Sequence, residues 1–162
     1  MTEVKKNEHT PGREFVMDYP LPPAIENCTK HIRVICGGTV IAHTTGAKRV
    51  LEKGNPPVYY IPPDDVRTEF LSPAENKTLC EWKGEASYYH LNIGSKQIRY
   101  ACWYYPEPVE KFKELKNYLA FYPQKMDECY VDNEPVTPQP GKYYGGWITK
   151  NITGPYKGEE GV

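Results

Sequence analysis

The sequence predicts a mostly-β domain. Three observations carry this reading. Its β-prone runs are short and separated by Gly and Pro clusters, its two longest runs flank a Gly-Ser pair, and only two stretches keep helical spacing. The 162 residues suit one domain with a working core. Residues 1–30 read as an extended arm, because Asp18-Tyr-Pro-Leu-Pro-Pro23 has prolines that fix φ and lack an N–H. Ile32–Cys36 and Thr39–His43 are β-like around Gly37-Gly38, a two-residue hairpin signal. Ala47–Lys53 reads as a short helix stopped by Gly54-Asn55-Pro56-Pro57. Val58–Ile61, Thr68–Leu71 and Lys77–Trp82 read as strands, with one helical turn at Asp64–Val66. Glu85–Ile93 and Lys96–Tyr104 form the strongest pair, joined by Gly94-Ser95. Val109, Phe112, Leu115 and Tyr118-Leu119 mark a second short amphipathic helix, with Phe112 and Leu115 as core residues. Leu119–Tyr122 and Glu128–Val131 are strands again. The core is expected over 31–136, and 137–162 form a Gly- and aromatic-rich strap in which Trp147 is an anchor.

Composition narrows the function. Twenty basic against 21 acidic residues give a net charge of −1, which argues against a nucleic-acid partner. No run approaches a membrane-spanning length, so no membrane partner is expected. The charged start has no apolar signal segment, and the five cysteines at 28, 36, 80, 102 and 129 therefore read as reduced thiols of a cytoplasmic protein. None forms a C-x-x-C pair, so no zinc, other metal or cofactor is expected. The three N-x-T sequons at Asn27, Asn76 and Asn151 read as chance matches in such a chain.

The central hairpin is the informative element. With Gly94-Ser95 as the turn, Tyr88 pairs with Ala101, Ala86 with Trp103, His90 with Arg99 and Gly84 with Tyr105. Leu91, Tyr89, Ile98, Tyr100, Cys102 and Tyr104 share one face. The other interleaves Tyr88, Trp103 and Tyr105 with Ala86, Ala101 and Gly84, which leaves a hollow for a planar or cationic ligand. Lys83, His90 and Arg99 are placed to orient its polar groups. The plainer alternative is that the small residues accommodate the strap or the helix. A bulge in the hairpin would change the assignment.

The segments Arg49–Glu52, Pro57–Pro63, Cys80–Tyr88, Ala101–Pro106 and Leu119–Tyr122 resemble the uncharacterised domain-of-unknown-function family 427, which carries a nucleotidyltransferase-like label. The flanks Asp18–Pro23 and Tyr144–Thr149 resemble its longer, cyanobacterial-type members. The family pattern falls on Cys80, Lys83, Gly84, Ala86, Tyr88, Ala101 and Trp103. The resemblance implies a β-tent-like fold, two antiparallel sheets pinned at one edge, shared with methionine sulfoxide reductase B and the thalidomide-binding domain of cereblon. The latter's tryptophan cage makes an aromatic cage here plausible by analogy. The zinc of many β-tent proteins does not carry over.

Nucleotidyl transfer lacks its residues: Asp64-Asp65 suits a helix start, and no phosphate loop occurs. Binding of a small molecule by Tyr88, Trp103, Tyr105, Lys83, Arg99 and His90 is the leading expectation. An enzyme in the same pocket would use Cys80 as nucleophile or His90 as acid/base. Cys80 and Lys83 would need a turn between them to meet, and a buried inert thiol is the plain reading of Cys80. An interaction module, including a homodimer, is the third expectation. Arg49 and Glu52 read as a helical ion pair.

Overall fold

A computed structural model describes residues 12–159. The expectations for the start of the arm, residues 1–11, and for 160–162 in the strap lie outside the described residues. The strands in chain order are β1 (Glu14–Phe15), β2 (Ala24–Cys28), β3 (Ile32–Cys36), β4 (Thr39–Thr44), β5 (Ala47–Leu51), β6 (Val58–Tyr60), β7 (Leu71–Pro73) and β8 (Thr78–Cys80). They continue as β9 (Gly84–Ile93), β10 (Lys96–Tyr104), β11 (Ala120–Phe121), β12 (Glu128–Val131), β13 (Glu134–Pro135), β14 (Thr137–Pro138), β15 (Trp147–Ile148) and β16 (Ile152–Thr153).

The fold is mostly β, as the sequence predicts. One sheet runs β11-β10-β9-β7, with β8 also on β9; a second runs β13-β12-β3-β4; a third runs β2-β5-β6. All their pairings are antiparallel. The Gly37-Gly38 and Gly94-Ser95 turns join β3 to β4 and β9 to β10, and the turns touch where Gly37 meets Ile93. The main core fills with Ile32, Val34, Ile41, Leu91, Cys102 and Phe121. A second core gathers Val50, Tyr60, Ala86, Tyr105, Phe112 and Leu115.

Two helical expectations are corrected. Ala47–Leu51 is the central strand of the third sheet, not a helix. Its residues have fair helix propensity, but β2 and β6 satisfy the backbone on both edges, and tertiary pairing overrides propensity. Arg49 accordingly pairs not with Glu52 but across strands, with Glu26 at 2.8 Å and Glu14 at 3.0 Å. The second helix is a 3-10 segment, Glu110–Leu115, broken at Phe112; Phe112 and Leu115 are buried in the second core.

The hairpin register is also corrected. Near the turn it is as expected, with Lys96 opposite Ile93 and Ile98 opposite Leu91. Beyond it Cys102 faces Tyr89 and Trp103 faces Tyr88, so Arg99, Tyr100 and Ala101 together oppose His90. This bulge keeps Trp103 on the face of Tyr88, because a two-residue shift preserves side-chain alternation. It exchanges two other residues. Ala101 joins the main core, while Tyr100, at φ 52, packs edge-on against His90 and Tyr88.

Candidate functional site

The bulge is held by side chains. Tyr100 N–H donates to His90 Nδ1 at 2.9 Å, and Lys125 Nζ donates to the carbonyls of Arg99 and Tyr100 at 2.9 and 3.0 Å. Because Nδ1 accepts a backbone hydrogen, the neutral ring carries its own on Nε2, which donates to Glu75 at 2.9 Å. Arg99 reaches the other Glu75 oxygen at 3.2 Å. The His90 bond first, then Glu75's own backbone and Arg99, lower that carboxyl from 4.5 to about 2. Among the described residues, the buried Tyr100 hydroxyl has no hydrogen-bond partner.

Downstream of the bulge, Tyr88, Trp103 and Tyr105 line a cavity of about 200 Å³ with Lys83 and Ala86. Tyr60, from β6, and Tyr122, just after β11, complete its aromatic wall. Trp103 Nε1 donates to the Tyr60 hydroxyl at 3.2 Å, and the Trp103 and Tyr122 rings lie 4.6 Å apart. The Tyr88 hydroxyl meets Thr78 Oγ1 at 2.7 Å. The strap crosses this face: a Cβ on Gly145 would stand 2.4 Å from Trp103, so only glycine lets the backbone lie against that ring. The strap covers part of the hollow without filling it. Burial pushes the phenols of Tyr60, Tyr105 and Tyr122 well above their usual range, so they remain neutral hydrogen-bond donors.

Cys80 and Lys83 do meet. Cys80 pairs with Gly84, and Glu81-Trp82-Lys83 form the intervening turn. This turn brings Lys83 Nζ to 3.7 Å from Cys80 Sγ, and the Tyr105 ring lies 6.4 Å from that of Tyr60. Trp82 points the other way, into an open groove of about 690 Å³ with Met17, Leu21 and Cys80. That groove is larger and open, with exposed Met17 and Leu21 of the arm among its apolar walls and Glu52, Lys53, Glu81 and Lys157 also in its lining.

The structure thus brings together Tyr88, Trp103, Tyr105 and Lys83, and sets Cys80 beside them. His90 and Arg99 do not line the cavity; both are committed to Glu75, and His90 also to the bulge. The physical reason is the bulge, which separates their section of the hairpin from the hollow. Sequence reasoning missed Tyr122 and Tyr144 in the wall. The alternation of Tyr59 and Tyr60 does signal that one faces a cleft, and it is Tyr60. Among the described residues, no group of three or more His, Cys, Asp or Glu could hold a metal ion, and no helix is long and apolar enough to cross a membrane.

No curated protein matches the chain. One family model does, over residues 24–132, about two-thirds of the length; its name is NTP_transf_9 and its description is a domain of unknown function, DUF427. That span holds β2 to β12 and every β9/β10 residue around the cavity, and the chain therefore belongs to the DUF427 family.

Proposed function

We propose that this protein binds a small planar molecule in the cavity beside Trp103. The observation that carries the reading is the space itself. Seven aromatic residues surround about 200 Å³ that the strap leaves open. This is below the roughly 300–1,000 Å³ of sites for drug-sized ligands, which points to a one-ring guest. Thermal-shift screening against nucleobases, cyclic imides, quaternary amines and small aromatic carboxylates tests it. A ligand of one class should raise the melting temperature by mass action, and Trp103→Ala should abolish the rise. No rise with any class would overturn the reading in favour of an interaction module.

A second reading rests on the Lys83–Cys80 contact at 3.7 Å, with Cys80 as a nucleophile. Cys28, Cys36, Cys102 and Cys129 are buried, and burial pushes the Cys129 thiol up to about 12. Iodoacetamide should therefore modify Cys80 alone in the native protein. A rate well above that of a model thiol supports catalysis by Cys80, and a rate no faster counts against it.

A further inference from the structure

Among the described residues, Lys83 is a buried cation without a counter-charge. Only 6% of the residue is exposed. Lysine is almost never buried so far unless paired, because removing an ammonium from water costs several kcal/mol. Arg49, which is buried to a similar degree, has two carboxylates. Among the described residues, Lys83 forms no salt bridge. The one hydrogen-bond contact of its ammonium among them is Cys80 Sγ at 3.7 Å, and the Phe112 ring lies 5.7 Å from Nζ. An ammonium has three donors, and a sulfur and a ring face leave it undersupplied.

The cavity supplies no negative charge either. Its lining contains Lys83 and no Asp or Glu. Its buried phenols cannot act as phenolates, because burial favours their neutral form. They can donate, as the ammonium does. The wall therefore offers one full positive charge, several O–H groups and aromatic faces.

We infer that the cavity selects an anionic single-ring ligand, such as an aromatic carboxylate, whose charge pairs with Lys83 while its ring lies among Tyr60, Tyr88 and Trp103. This rests on the binding reading above and deepens it. A cationic guest, which the aromatic pattern alone would admit, meets repulsion from Lys83 with no carboxylate to offset it. A neutral guest leaves the ammonium unpaired.

The test uses three probes of equal ring size, benzoate, benzamide and benzylamine, titrated into the full chain by calorimetry. Benzoate should bind at least about tenfold more tightly than benzamide, as a charge-assisted pair requires, and benzylamine more weakly still. Lys83→Met should remove the preference for benzoate, so that benzoate and benzamide bind within about threefold of each other, and a circular dichroism spectrum matching the parent's shows that the variant is folded. Benzamide or benzylamine binding as well as benzoate, or a preference that survives Lys83→Met, would overturn the anionic assignment while leaving a planar-ligand site standing. If no probe binds at millimolar concentration, the anionic assignment fails, and the thermal-shift screen decides whether the binding reading falls with it. Alkylation of Cys80 faster than a model thiol, together with no benzoate binding, would place the counter-charge on a Cys80 thiolate and also overturn it.

Discussion

Trp147→Ala should lower the unfolding free energy by about 3–5 kcal/mol, the usual cost of removing a buried tryptophan. The side chain is fully buried. Its ring packs on Tyr59 with centroids 4.9 Å apart, and its Nε1 donates to the Phe121 carbonyl at 3.3 Å. Its backbone N–H donates to the Pro57 carbonyl at 2.8 Å, tying the strap to the loop before β6. Truncation leaves a cavity in the main core and an unpaired carbonyl on Phe121. Against a total stability of about 5–15 kcal/mol, the loss is severe. Urea unfolding followed by circular dichroism would measure it, and a loss below about 1 kcal/mol would show that Trp147 does not anchor the strap. In the fraction that stays folded, any ligand-induced thermal shift should shrink, because Tyr144 and Gly145 form part of the cavity wall just before this anchor.

His90→Ala should cost about 2–3 kcal/mol, from an unsatisfied backbone N–H and a lost buried ring. Tyr100 sits at φ 52, a conformation that a bulky L-residue occupies only when its surroundings hold it there. His90 supplies that hold through its 2.9 Å acceptor bond. His90→Asn, with a side-chain oxygen able to accept, should recover part of the loss. The variant also has a pH signature. In the parent, Glu75 has its pKa depressed from 4.5 to about 2, so its link contributes stability above about pH 4.5, lost as pH falls towards 2. The Glu75 carboxyl resonance, followed by NMR, should titrate near 2 in the parent and closer to 4.5 in His90→Ala. An unchanged midpoint would show that His90 does not hold this carboxylate.

Much of the fold is legible because its signals are local. Gly37-Gly38 and Gly94-Ser95 specify tight turns from their own conformational freedom, and alternation then places Tyr88, Trp103 and Tyr105 on one face. Those three line the same cavity despite the register error, since a two-residue slip leaves facing unchanged. The error itself was not local. Nothing in Arg99-Tyr100-Ala101 announces a bulge; what stabilises it is a ring on the neighbouring strand and a lysine from the 3-10 turn after β11. The same holds for Ala47–Leu51, whose helical composition is outweighed by strands on both sides.

By itself, then, the sequence determined the β class, the two hairpin turns, the aromatic face and the family to which the chain belongs. Those depend on residue type and spacing, which a linear pattern carries. Only the tertiary structure decided which polar groups meet that face. It withdrew His90 and Arg99 to Glu75 and folded Lys83 back onto Cys80. It also laid Gly145 against Trp103. These juxtapositions join residues on different strands or across a turn. Their energies depend on burial and on partners that no local window contains.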